Sequence, residues 1–385
     1  MKVTRLRLRD FRNHERLELE LGRGLTLVCG PNGAGKTNLL EGIYFGLTAR
    51  SCRTANEREL PRRGEVVARV EVETRGGADG TEQHLLEVGL EPGALGRAHP
   101  AGRRQAAKQV KLDAAPVDSP AGPPARPPVS VFLPERLELV KGPPSGRRAH
   151  LDQVVVGLWP SRAGTRSAYS RALAQRNALL GRIRAGAGDM EGLDAWDAEL
   201  ARHGVALASD RALACERLTE PFGRLAQELG LPGPAELRYR PRSQATDPEG
   251  LAAELAERRH ADLERGFTAH GPHRDELLLR HDGEALRGYG AQGQPRTALL
   301  ALLFAERELF LAERGDAPLM LLDDVMSELD GARRERLAEL VRGSGQTVIT
   351  TTEAANVPGS DADDVTIVEL QAGSVVSRTE AAAVA

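Results

Sequence analysis

Aromatic residues are scarce in this chain: Phe, Tyr and Trp supply 3% of its 385 residues, so Leu, Val and Ala must fill most of any core. Cysteine is scarcer still. Cys29, Cys52 and Cys215 stand apart without C-x-x-C spacing, which points to a reducing compartment with neither disulfides nor a zinc site. No apolar run reaches the roughly 18 residues that a membrane span needs, and Met1-Lys2-Val3-Thr4-Arg5 opens a strand pattern, not a signal peptide. A cytoplasmic protein without membrane contact is expected. A strong net charge is missing too: the sum is −3, which announces no nucleic-acid partner but can conceal a local basic patch. What remains, 41% hydrophobic and 28% charged, is the composition of a soluble globular protein. The length suits about two domains, or one large domain with an insertion.

One stretch departs from this plain background. Gly30-Pro31-Asn32-Gly33-Ala34-Gly35-Lys36-Thr37 matches G-x-x-x-x-G-K-[ST]. The apolar run at 25–29 precedes it, and Leu39, Leu40, Ile43 and Leu47 follow at helical spacing, so strand, glycine loop and helix are all in place. Such a unit aims backbone N–H groups and a helix N-terminus at a phosphate. Lys36 is expected to reach the β/γ-phosphates of ATP, and the Thr37 hydroxyl to ligate Mg²⁺.

Before the loop, residues 2–9 and 15–21 read as two strands joined by a polar turn. Arg12 and Asn13 lie near the nucleotide if these strands bracket it; a solvated turn fits the pattern equally well. After it come strand-like pieces at 66–73 and 84–90. Residues 91–128, rich in Pro, Gly and Ala, read mostly as a flexible connection with a hairpin partner at 109–112. Residues 129–133 form another strand. Between Lys141 and Arg184 stand nine basic residues and one acid, Asp152. A helix over 161–182 puts Arg162, Arg166, Tyr169 and Arg176 on one face, which suits a phosphate backbone or, with Leu173 and Leu180 on the same stripe, a partly buried surface. Helical patterns continue at 194–229 and 251–266 without a sustained heptad seam.

A strand at 276–280 precedes the polar loop Tyr289-Gly290-Ala291-Gln292-Gly293-Gln294-Pro295-Arg296 and an apolar helix at 297–313, making a second potential anion site. Pro318-Leu319-Met320-Leu321-Leu322-Asp323-Asp324 then reads as a buried parallel strand ending in two carboxylates at the sheet edge where ligands bind. Asp323 is expected to hold Mg²⁺ with Thr37, and Asp324 to position or deprotonate water. A capped helix at 331–342, a final parallel strand at 346–352 and an edge hairpin at 365–376 complete the pattern. The fold class expected is α/β: an ATPase at 1–145 and 266–378, a mainly helical insertion at 146–265, and a disordered tail at 379–385.

The order of P-loop, long insertion, glutamine-glycine loop, Asp-Asp strand and Ser327-Glu328-Leu329-Asp330 resembles an ABC-type ATPase head, and its finer wording resembles the RecF family. The matching phrases include Phe11-Arg12-Asn13, the P-loop with Asn38, Ser51-Cys52-Arg53-Thr54, Leu139-Val140-Lys141-Gly142-Pro143, Arg147-Arg148, Gln175-Arg176-Asn177, Gly271-Pro272-His273-Arg274-Asp275, and Gln292-Gly293-Gln294 with Arg296-Thr297. The resemblance implies a role in DNA replication, recombinational repair and the SOS response. It implies two ATP molecules in a head-to-tail homodimer, each held by residues 30–38 and Arg12 of one copy and by Gln292, Gly293 and Gln294 of the other. It also implies slow hydrolysis, binding to double-stranded and gapped DNA, and RecR, RecO and RecA as partners. On the basic segment, Arg147, Arg148, Arg162, Arg166 and Arg176 are the expected DNA contacts. The sequence departs from the family where Ala291 replaces a signature serine, and no histidine follows His281 to serve as the switch residue of ABC transporters. A transporter subunit would carry that histidine, and an SMC or Rad50 protein would carry a long coiled coil in place of residues 146–265.

Overall fold

Alternating apolar and charged side chains mark strands of one sheet, and short runs of Leu, Val, Ile and Thr buried at every position make central strands of the other. The computed structural model describes residues 1–77, 80–91, 107–117, 126–289, 293–327, 329–343 and 345–379. In chain order it contains β1 (Lys2–Phe11), β2 (His14–Glu20), β3 (Leu25–Cys29), α1 (Lys36–Thr48), β4 (Ala68–Gly76), β5 (Glu82–Glu91), β6 (Ala107–Leu112), β7 (Ala115–Pro116) and β8 (Val129–Phe132). Then follow α2 (Glu138–Lys141), α3 (Pro144–Leu158), α4 (Ala163–Arg184), α5 (Glu191–Glu228), β9 (Ala235–Arg240), α6 (Pro248–Glu257), α7 (Arg259–Arg265), β10 (Glu276–His281), β11 (Glu284–Ala285), α8 (Leu286–Tyr289) and α9 (Gln294–Arg314). The chain closes with β12 (Leu319–Asp323), α10 (Gly331–Gly343), β13 (Thr347–Thr351), β14 (Val365–Gln371) and β15 (Ser374–Thr379). It divides into two compact units, Met1–Arg136 with Gly315–Ala385, and Leu137–Arg314.

The first unit has two sheets. One is antiparallel, in the order β2-β1-β4-β5-β6-β7; the other, β15-β14-β3-β13-β12-β8, is parallel except for its edge strand β15. Strands β3, β12 and β13 are buried at every position, as a parallel sheet covered on both faces requires. Helix α1 joins the sheets into one core, with Leu8, Val70, Val72 and Val88 from one, Val28, Leu321 and Val348 from the other, and Leu39, Leu40, Ile43 and Phe45 from the helix. The helix lies close to the antiparallel sheet because Gly46 has no side chain: a Cβ there would stand 2.4 Å from Val72.

The second unit is mainly helical but wider than the expected insertion, and it holds an antiparallel sheet in the order β11-β10-β9. Strand β9 has no counterpart among the strands expected from sequence: Ala235, Leu237 and Tyr239 alternate with charged residues, but the run is only six residues long and only Leu237 is buried. Helix α5 runs for 38 residues through Pro221, and the 251–266 pattern resolves into α6 and α7. Asp247 caps α6, accepting from the Gly250 N–H at 2.7 Å.

Histidine 273 gives this unit a pH dependence. Its Nε2 faces the Thr268 carbonyl at 2.9 Å and its Nδ1 faces the Tyr169 hydroxyl at 2.7 Å, so the neutral ring with its proton on Nε2 satisfies both partners. Burial, aided by Arg274 and Arg148, lowers its pKa from 6.5 to about 4. A histidine with a depressed pKa stabilises the fold fully above its unfolded value and loses that contribution as pH falls towards the folded one. Stability is expected to fall by about 3 kcal/mol between pH 7 and pH 4 from this group alone. Thermal unfolding of His273→Gln across the same range checks it, since the variant should lack this part of the slope.

Candidate nucleotide-binding site

The P-loop leaves β3 at its C-terminal end and runs into α1, and backbone geometry dictates its glycines. Gly30 has φ 155° and a Cβ there would fall 2.2 Å from the Leu370 carbonyl oxygen; Gly35 has φ 104° and a Cβ would fall 2.6 Å from Asn13 Nδ2. Pro31, Asn32 and Gly33 are exposed at the crest, while Ala34, Gly35 and Lys36 are buried. Lys36 Nζ curls over the loop and donates to the carbonyls of Gly30 (2.6 Å) and Pro31 (3.0 Å), which holds its charge where a phosphate would sit.

Two strands away in the same sheet, Asp323 ends β12. It is 6% exposed, and its carboxylate accepts from the Thr37 hydroxyl (3.0 and 2.8 Å) and from the Thr350 hydroxyl (2.6 Å). Burial raises its pKa, the two hydroxyls pull it back, and Asp324 and Glu135 push it up further. A hydroxyl and a carboxylate brought together are hard oxygen donors, the set Mg²⁺ takes from a protein while phosphates and water fill its other positions. Asp324, the next residue, is exposed and takes φ 45°; its N–H donates to Thr350 Oγ1 at 2.9 Å. Thr350 thus orients both acids at once. From sequence, Thr350 is legible only as one residue of the strand at 346–352.

The β1–β2 turn packs against the loop. Arg12 has φ 55°, an uncommon conformation for a residue other than glycine, and it is held by its N–H to the Leu60 carbonyl (2.7 Å) and by a two-pronged pair with Glu41 (2.8 and 2.9 Å). Asn13 and Asn38 are joined at 2.8 Å, and Arg53 reaches Asn38 (3.0 Å) and Glu135 (3.2 Å). Ser51 also donates to Glu41, which is fully buried, so the Ser51-Cys52-Arg53-Thr54 phrase forms the wall behind Arg12. Neither Glu41 nor His14 was singled out from sequence. His14, 0% exposed, places Nδ1 2.7 Å from the Gly373 carbonyl and Nε2 3.2 Å from the Gly35 carbonyl, tying the β14–β15 turn to the P-loop. Burial lowers its pKa.

The structure brings Arg12, residues 30–38, Asp323 and Asp324 together in one unit. Gly293 and Gln294 begin α9 in the other, where the Gly293 carbonyl accepts from the Thr297 N–H at 3.1 Å. Gln292 and Glu328 lie outside the described residues. The expected basic face of α4 is corrected. The later part of its stripe points inward, with Tyr169 3% and Arg176 0% exposed and the guanidinium paired to Asp197 and Asp262, which is the partly buried of the two surfaces that the pattern allowed. Arg147, 3% exposed, is likewise spent on Glu276 (2.8 Å) and on the Gly142 carbonyl (2.9 Å). Arg148 is half-buried and donates to the Asp275 carbonyl; Arg162 pairs with Asp210 and lies over Trp159; Arg166 pairs with Asp152 while remaining exposed.

A parallel sheet with a P-loop after one strand and Asp-Asp after another, beside an antiparallel sheet that shares its first helix, defines an ABC-type ATPase head. Residues 5–108 match the family described as "AAA domain". The "DNA replication and repair protein RecF" of Streptomyces avermitilis is 38% identical over 93% of this chain and 95% of its own length, and that of Frankia alni is 38% identical with the same coverage. The chain belongs to the RecF family. A solved structure of the "recombination mediator protein RecF-ATP in RecFOR pathway" superposes with a TM-score of 0.82 at 28% identity, over 98% of this chain and 97% of that one. The Smc head domain of Pyrococcus furiosus, at TM-score 0.56 and 16% identity, shares the fold. No helix among the described residues is long and apolar enough to cross a membrane.

Proposed function

We propose that this protein is an ATP-dependent DNA-binding protein of replication, recombinational repair and the SOS response, acting as a homodimer closed by ATP. The observation that carries the reading is the joining of Thr37 to Asp323 beneath the Lys36 loop, in a chain of the RecF family. ATP sits on residues 30–38, with Mg²⁺ held by Thr37 and Asp323. Its γ-phosphate meets the loop before α9 of a second copy, where Gly293 and Gln294 present a helix N-terminus. Because both copies touch that phosphate, ATP favours the closed dimer over the open one, and hydrolysis removes the preference. Turnover is slow, since Asp324 is a short side chain for a residue that positions water and Ala291 brings no hydroxyl to the phosphate. The closed dimer binds double-stranded and gapped DNA in the cytoplasm, at the nucleoid, with RecR, RecO and RecA as the partners that family membership suggests.

The test measures self-association by ultracentrifugation, and affinity for duplex, single-stranded and gapped DNA over a salt series, each with and without ATP. ATP is expected to drive dimerisation and to tighten binding to duplex and gapped DNA, with a steep salt dependence. If ATP alters neither self-association nor DNA affinity, the reading fails.

A further inference from the structure

The outer face of the antiparallel sheet carries its charges in rows that run β2–β1–β4. In one row Arg5 stands between Glu20 and Glu73, and in the next Arg7 stands between Glu18 and Glu71. Arg7 reaches its neighbours at 3.1 Å and 3.4 Å, and its row is electrically complementary. The third row breaks the pattern. Arg9 stands between Arg16 and Arg69, so three arginines lie side by side, and the row continues through Gly89 and Gln109 without an acid. All three are exposed. Among the described residues the side chains of Arg16 and Arg69 have no ion pair, and that of Arg9, 72% exposed, has only Asp10 at 4.0 Å. Like charges directly opposite one another weaken a sheet, so this row costs the fold something that its neighbours do not. Beside it, three residues before Arg69, Val66 is 69% exposed, the most exposed large hydrophobic side chain among the described residues.

We propose that the row Arg16–Arg9–Arg69 is a docking surface for an acidic, partly apolar segment of a protein partner, with Val66 receiving an apolar side chain at its edge. Charge complementarity selects carboxylates for the row. Its surroundings favour a polypeptide over a nucleic acid: two residues along the strands, about 7 Å away, the next row sets Glu18, Glu71 and Glu87 against Arg7 and Lys111, so the excess of positive charge is confined to a single row. A duplex laid over the arginines would press its phosphates against those carboxylates, whereas one extended peptide fits the single row. An exposed valine offers nothing to a phosphate backbone.

The substitution Arg9→Glu gives the third row the alternation of the first two. It is expected to leave the melting temperature unchanged or raised and ATP binding unaltered. It should weaken binding of a labelled peptide of alternating Glu and Ser with a central Leu by about tenfold or more at low salt, where exposed charge pairs are least screened. Arg69→Gln is expected to weaken the same peptide less, and the peptide with Lys in place of Glu should not bind. If both variants bind the acidic peptide as the parent does, the proposal is overturned. It is equally overturned if a short DNA duplex, and not the peptide, loses affinity in Arg9→Glu, because the row would then be a phosphate contact.

Discussion

Asp323→Asn is expected to lower ATP turnover by at least about a hundredfold, the scale seen when one charged or hydrogen-bonding group aimed at developing charge is removed. The same change is expected to leave thermal stability equal or higher. Both follow from one observation. The Asp323 carboxylate is buried against two hydroxyls, and burial holds its pKa above the ordinary carboxylate range, so the fold bears the cost of an ionised group that only function requires. The amide keeps an oxygen for Thr37 or Thr350 and removes the charge, along with its repulsion from Asp324 and Glu135. Turnover measured beside a melting curve therefore separates the chemical role from the structural one. An Asn variant that hydrolyses ATP at the parental rate would remove Asp323 from the site. A variant that loses turnover only because it unfolds would make the residue structural. Thr350→Val is the companion, since it withdraws a hydroxyl that touches both acids and leaves each acid in place.

How much of this site can be read from sequence depends on whether its parts are local. The P-loop is one segment whose φ values demand glycine, and β12 is one apolar run ending in acids; both are legible because neighbours in sequence are neighbours in space. Thr350 and Glu41 are not legible in the same way. Each acts through contacts with distant residues, Thr350 with Asp323 and Glu41 with Arg12, and neither stands in a motif of its own. The edge hairpin of β14 and β15 was predictable from alternation, but its turn reaches back to the P-loop through Gly373 and His14, which alternation does not encode. The basic segment shows the opposite difficulty. Nine cations with one acid look like an open positive face when counted along the chain, yet the carboxylates that neutralise Arg176 and Arg147 come from Asp197, Asp262 and Glu276, far along the sequence. A count within a window cannot find partners outside it.

Arg176→Ala is accordingly expected to destabilise the second unit by about 3–5 kcal/mol, the cost of leaving buried charges without their partner. The guanidinium donates to Asp197 at 2.6 Å, to Asp262 at 2.7 Å and to the Thr268 hydroxyl at 2.7 Å, joining α4 to α5, α7 and the segment after α7. Asp197 and Asp262 are 2% and 0% exposed, so water cannot replace what is removed. Arg259 still reaches Asp197, and the Ala269 N–H still reaches Asp262, which places the loss within that range instead of above it. Arg176→Lys should recover only part, because one ammonium cannot match a planar fork directed at three acceptors. Arg176→Met combined with Asp197→Asn and Asp262→Asn should be milder than the single alanine change, since no unpaired charge stays behind. Denaturant unfolding of the four proteins orders these cases. The outcome that would return Arg176 to an outward, DNA-facing role is a variant that loses less than about 1 kcal/mol, the size of an ordinary surface change, while its affinity for duplex DNA falls.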